Sequence, residues 1–195
     1  MTDIEFEQPR YPITAYDQLR YPLSIAARAT GWDLATLRSY FDLKKFEWRD
    51  GDVMAANSGA PGLLSIRSVI RLGIAFEFWK IGVSPAGAFN GALKFTDFSS
   101  PNSGLGVLPE RRPCHLFPDP YNTYLVLKPT NPPAPSAKKG RERFYLAEVA
   151  AVKNGDQIDV EAIMYDLFNG EPGAVAIVDV NRVWNRIMTA LDVKA

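Results

Sequence analysis

The sequence has one cysteine, Cys114, and one histidine, His115, side by side. A single cysteine rules out an internal disulfide and fits a reducing cytoplasm. The pair also falls short of catalytic or metal chemistry. A metal site needs more soft ligands than two neighbours supply. A nucleophilic pair needs a third, orienting group, and adjacent side chains usually point apart. Long apolar runs are missing too: no apolar stretch reaches the roughly 18 residues of a membrane-spanning helix. The opening MTDIEFEQPR is acidic and mixed, unlike a secretory leader. Gly104-Leu105-Gly106 comes nearest to a phosphate-binding glycine loop, but it lacks a strand before it and a helix after it. The chain is therefore expected not to be an enzyme, and to need no metal or cofactor.

Charge of one sign is absent as well. The 22 basic residues are balanced by 22 acidic ones, which counts against a chain that coats nucleic acid non-specifically. The imbalance that exists is local. Between residues 20 and 71, Arg20, Arg28, Arg38, Lys44, Lys45, Arg49, Arg67 and Arg71 face only Asp33, Asp42, Glu47, Asp50 and Asp52.

What is present is core material: 47% of the 195 residues are hydrophobic and 12% aromatic, enough for a buried interior. The stretch Tyr21 to Leu72 organises the rest. Leu23, Ala26, Ala27 and the stem of Arg28 recur at helical spacing, and so do Leu34, Leu37, Tyr40 and Phe41. Between them lies a turn at Ala29-Thr30-Gly31-Trp32, with Gly31 suited to a left-handed backbone and Asp33 placed as N-cap. This is the layout of a helix-turn-helix, whose second helix can enter a DNA major groove. Phe46 to Arg49 reads as a short strand, Asp50-Gly51-Asp52 as a turn, Ala55 to Gly62 as a flexible tip, and Leu63-Leu64 as the returning strand. Ser65 caps a long apolar helix that Gly82 stops. Ser84-Pro85 begins a helix rich in small residues, which suit close packing on the preceding helix or a dimer contact.

Four of these pieces, in order, resemble the MerR-type winged helix-turn-helix over residues 20 to 95. Tyr21 to Trp32 is similar to that family's opening, where an aromatic starts a short helix ending in a Thr-Gly turn. Thr36-Leu37-Arg38-Ser39-Tyr40 resembles its recognition helix, with Ser39 in place of the first aromatic of a Tyr-Tyr pair and Ala35 where many members carry a basic residue. Residues 65 to 72 are similar to its third helix, and Ile81 to Pro85 to the turn into its fourth. The resemblance implies a DNA-binding domain at 11–98. Arg28, Thr36, Arg38, Ser39, Tyr40, Lys44, Lys45, Arg49 and Arg67 would be its DNA-contacting residues. Arg38 suits a guanine edge or a phosphate, and the hydroxyls of Thr36 and Tyr40 suit phosphate oxygens. Trp48, between the basic residues leading into the wing, reads first as a core plug.

Ser99 to Gly106 is the best boundary, and residues 105–195 read as a small mixed α/β domain for oligomerisation or partner binding. Strands are expected at Asn122–Lys128 and Arg143–Val152, and Pro129 to Gly140 reads as an exposed loop. Val160 to Phe168 leans helical. Gly173 to Val180 is so apolar that a strand buried on both faces is expected, followed by a helix capped by Asn181. Asp156, Asp159, Glu161 and Asp166 read as a solvated acidic face. No heptad run follows residue 98, so the family's coiled-coil dimerisation does not carry over. Trp184 and Ile187 on the last helix are instead the expected dimer surface. The fold class is thus α+β, a winged helix-turn-helix followed by a mixed domain. The implied function is a cytoplasmic, sequence-specific regulator binding double-stranded DNA as a homodimer. Alternatives are a phage or mobile-element packaging or excisionase-like protein, and a protein-interaction module on the same fold.

Overall fold

The computed structural model describes residues 18–54, 62–100, 110–129, 145–156 and 175–193. Within them the chain is mixed helix and strand, with five helices and two small antiparallel sheets. No described helix is long and apolar enough to cross a membrane. The N-terminal arm, the tip at 55–61, the segment Val160 to Phe168 and the loop at 130–140 lie outside the described residues.

A strand, β1 (Arg20–Pro22), precedes the first helix, α1 (Leu23–Thr30). From sequence, that helix opens at Tyr21. The structure starts it two residues later because Tyr21 precedes a proline, which biases it to extended backbone. Pro22 itself takes the N-cap position at φ −56° and ψ 148°. Gly31 ends α1 in the left-handed region at φ 92°, its N–H bonded to the Ala27 carbonyl at 2.9 Å. A Cβ here would also stand 2.7 Å from the Phe76 ring, so both backbone and space require glycine. The second helix, α2 (Leu34–Asp42), follows a three-residue turn and is capped by Asp33, as expected.

Phe46 to Arg49 is not a strand. Phe46 is buried among Trp32, Tyr40, Phe41 and Phe89, and Trp48 lies against Phe41. The Asp52 carboxylate accepts the backbone N–H groups of Arg49 (2.9 Å) and Ser65 (2.7 Å) and the Ser68 hydroxyl (2.8 Å). With its N–H taken by that carboxylate, Arg49 closes a turn instead of extending a ladder. The antiparallel pairing begins at Val53, which exchanges two 2.8 Å hydrogen bonds with Leu63. Leu63 opens β2 (Leu63–Ser65), whose other edge pairs with β1, Tyr21 opposite Leu64.

Helix α3 (Ile66–Lys80) is the axis of the molecule. Ser65 caps it, and Ile66, Val69, Ile70, Leu72, Ile74, Ala75 and Phe78 are buried along it. It ends in a Schellman motif: Gly82, at φ 95°, donates to Trp79 and Val83 donates to Phe78, both at 3.0 Å. Ser84 then caps α4 (Pro85–Thr96).

The second sheet has β3 (Tyr121–Pro129) at its centre, between β4 (Tyr145–Lys153) and β5 (Ala176–Asp179), all antiparallel. The apolar run, described from residue 175, is therefore not buried on both faces. β5 pairs only with β3 among the described strands, and of its four residues only Val178 is buried. Its apolar character has another use, because the chain turns straight into α5 (Val180–Ala190), whose Val180 and Val183 face the core. Asp179, not Asn181, is the N-cap of α5; the Asn181 amide oxygen instead accepts the Thr123 N–H at 2.6 Å.

Residues on both sides of the expected boundary form one hydrophobic cluster, running from Ala26 to Met188. Glycines mark the closest approaches. A Cβ on Gly73 would lie 2.4 Å from Ile187, on Gly87 2.6 Å from Tyr145, and on Gly91 2.5 Å from Leu127. The small residues of α4 thus seat the second sheet. Trp184 and Ile187, expected at a dimer surface, are buried within the chain, with Ile187 against Gly73 of α3.

Candidate nucleic-acid interface

Trp32 ties α2 to α3. Its indole is 4% exposed and donates to the Leu72 carbonyl of α3 at 2.9 Å. Tyr40, Phe46 and Phe76 meet its ring edge-to-face, and Trp79 lies tilted against it. Leu37 and Phe41 bury the inner side of α2. That leaves Ala35, Arg38, Ser39 and Asp42 as one exposed stripe at i, i+3, i+4, i+7.

From sequence, Thr36, Arg38 and Tyr40 form a contact trio. Helix geometry sets Arg38 apart from the other two, because residues two apart lie on nearly opposite sides and residues four apart share one. Thr36 belongs to the cap: its N–H and its hydroxyl both donate to Asp33, at 2.8 and 3.0 Å. Those bonds, led by the Thr36 N–H, hold the Asp33 carboxyl below its ordinary value. Tyr40 is half-buried against Trp32 and Phe46, with the Lys45 ammonium 5.1 Å from its ring centre. Arg38 and Ser39 remain on the open face.

The end of α2 extends that face. Leu43 is the C-cap, and the chain turns through Lys44 at φ 55°. The Lys44 N–H donates to Phe41 and the Lys45 N–H to Tyr40, a Schellman motif with lysine in the position that usually takes glycine. Lys44 and Lys45 are exposed, and so is Arg28 on the last turn of α1. Arg28, Arg38 and Lys44 make no side-chain hydrogen bond or ion pair among the described residues.

Arg49 and Arg67 go elsewhere. Arg49 pairs with Asp97 at 3.1 Å and with Glu47 at 3.8 Å. Arg67 reaches the Thr96 carbonyl at 3.4 Å. Both join a polar cluster at the end of α4. Its centre is Arg71, 1% exposed, which ion-pairs with Asp97 and donates to Thr96 Oγ1 at 3.0 Å and Ser68 Oγ at 3.4 Å. Burial pulls the Arg71 guanidinium below its ordinary value, and Asp97 opposes the shift. Arg111 plays a related part. Buried against Phe95, it donates to the carbonyls of Phe95 (3.0 Å), Phe98 (2.7 Å), Arg112 (2.9 Å) and His115 (3.2 Å), closing the C-terminal end of α4. The cluster around Arg71 has a sequence signal: an arginine inside the apolar run SVIRLGIAF must find partners. Arg111, in a proline-rich stretch with no periodicity, has none.

Among the described residues no three His, Cys, Asp or Glu side chains gather as a metal site. Cys114 is buried, its N–H bonded to the Phe95 carbonyl at 2.9 Å. No family model matches the chain, and the search of curated proteins finds no match.

Proposed function

We propose that this chain is a sequence-specific, double-stranded DNA-binding protein that acts as a regulator, with α2 as the recognition helix of a MerR-like winged helix-turn-helix. One observation carries it. Trp32 ties the turn before α2 to α3 through the Leu72 carbonyl and packs on Tyr40 of α2, while the outer stripe of α2, with Arg38 and Ser39, runs into Lys44 and Lys45. Arg38 and the two lysines outweigh Asp42 on that stripe, and among the described residues Arg38 makes no ion pair that DNA binding would have to break. The order of elements supports the same reading: a short strand, two helices at a tight turn, a hairpin closed by Val53 and Leu63, then a capped helix. In this reading the hairpin is the wing. One such unit reads few base pairs, so a homodimer on a repeated or palindromic site is proposed. With Trp184 and Ile187 inside the core, its interface lies on other residues.

Binding to genomic fragments at two salt concentrations tests the proposal. Affinity should fall steeply as salt rises, the mark of phosphates neutralised by lysine and arginine. Arg38→Ala should weaken specific binding by about 1–3 kcal/mol while leaving the fold intact. An equal loss on random DNA would make Arg38 a phosphate contact. A second reading has its own support. Leu43, at the end of α2, is 62% exposed, and Met54 at the base of the hairpin is 65% exposed. Apolar side chains there suit a protein partner, and binding insensitive to salt or absent with all DNA would favour that reading.

A further inference from the structure

A cleft of about 460 Å³ opens between the C-terminal end of α3, the strand β5 and the first turns of α5. Its size falls in the range of small-molecule sites. Ile81, Ile177 and Val183 give it an apolar wall, while Lys80, Arg182 and Arg186 give it positive charge. The two carboxylates that line it are already engaged. Glu77 is shared by Lys80, at 2.9 Å, and Arg186, at 2.5 Å. Burial alone would raise the Glu77 carboxyl, but the hydrogen bonds from Arg186 and Lys80 hold it below its ordinary value. Asp179 accepts the Arg182 N–H at 3.1 Å as the cap of α5. That leaves the Arg182 guanidinium without an acid or acceptor among the described residues. The cleft therefore has a surplus cation beside apolar surface.

Arg186 links this cleft to the turn between α1 and α2. One of its nitrogens holds Glu77; the other donates at 3.3 Å to the carbonyl of Thr30, the last residue of α1. Gly31 follows directly. A carbonyl in the last turn of a helix needs an outside partner, and here Arg186 is that partner.

We propose that the cleft binds a small amphipathic anion, a carboxylate or phosphate with a compact apolar body, and that its binding draws Arg186 off the Thr30 carbonyl and loosens the α1–α2 turn. Arg182 and Arg186 are one helical turn apart on α5 and offer planar donors suited to carboxylate or phosphate oxygens. The apolar body of the ligand lies on Ile81, Ile177 and Val183. The Arg186–Glu77 pair is solvent-exposed on the arginine side, and exposed pairs are weak enough for a bound anion to compete with them. The site stands apart from the DNA reading, so its test uses the full-length chain without DNA.

Calorimetric titration with hexanoate, phenyl phosphate, acetate and neutral hexanol, with amide exchange at residues 31–33 followed at saturation, decides it. Hexanoate or phenyl phosphate should bind roughly tenfold more tightly than acetate or hexanol, and which of the two is tighter separates carboxylate from phosphate. Arg182→Ala should weaken that binding roughly tenfold with an unchanged urea midpoint. Exchange at 31–33 should quicken on saturation in the wild type. In Arg186→Ala it should be fast already and unaffected by ligand. No heat from either anion at about 10 mM would overturn the proposal. So would hexanol binding as well as hexanoate, undiminished affinity in Arg182→Ala, or exchange at 31–33 that ignores the bound anion.

Discussion

Lys44 shows how a single residue can set stability against surface chemistry. A left-handed backbone costs a residue with a Cβ about 1 kcal/mol relative to glycine, and Lys44 holds φ 55° at the C-terminal end of α2. Lys44→Gly should therefore raise the unfolding free energy by about 0.5–1 kcal/mol, read as a higher urea midpoint. If α2 enters DNA, the same substitution should weaken binding on all sequences and lower the slope of log affinity against log salt by about 1. A variant that is both less stable and equally tight would mean that Lys44 is an ordinary surface residue. Glu77 makes a second prediction at this scale. Its carboxyl sits below its ordinary value of 4.5 because Arg186 and Lys80 favour the charged form. A depressed carboxyl contributes stability that is present above that value and fades as pH falls through the lower, folded one. Acid titration of Glu77→Gln should thus lack part of the stability loss seen below pH 4.5 in the wild type. The pair is partly exposed, so the difference should be small.

Among the elements, α4 is decided by contact more than by propensity. Its glycines would disfavour a free helix, yet Gly91 lies where any Cβ would strike Leu127 of β3. Gly91→Val should cost about 1–3 kcal/mol through overpacking, read from the urea midpoint. If Leu127→Ala in the same chain restores part of that loss, the cost comes from the helix–sheet gap and not from the helix itself. The helix boundaries were largely legible beforehand. Asp33, Ser65, Ser84, Gly31 and Gly82 stand where capping chemistry needs them, and each caps or ends its helix as read. The strands were less legible, because a strand is defined by its partner. Phe46 to Arg49 has strand-like residues, but the Asp52 carboxylate, three residues on, takes the Arg49 N–H that a ladder would need.

At the scale of the molecule, α3 links the residues before 100 to those after 105. It packs against α1, α4, α5 and β5, so the residues before 100 and those after 105 complete one another. A fragment ending at residue 100 would leave Gly73 without Ile187 and Gly91 without Leu127. We expect it to keep helical circular dichroism but to bind a hydrophobic dye and unfold without a sharp transition. A cooperatively folding fragment would mean that the N-terminal segment holds a sufficient core of its own. Light scattering of the full chain reads the proposed homodimer directly. Arg71 and Arg111, two buried guanidinium groups at the end of α4, are the polar side of this shared interior.

The sequence by itself determined most of the described helices, the caps at Asp33, Ser65 and Ser84, and the exposed basic residues around α2, because periodicity and capping act over a few neighbouring positions. Only the tertiary structure decided which basic residues stay open. Arg49 and Arg67 look no different in sequence from Arg38, yet Asp97 and Thr96, some thirty to fifty positions later, take them. Likewise Trp184 and Ile187 form an apolar stripe in sequence, and a stripe says only that something covers it. That the cover for Ile187 is α3 of the same chain depends on Gly73 having no side chain, while Trp184 meets Phe95 of α4 edge-to-face. Pairings across such distances follow from how the elements pack and from no local pattern.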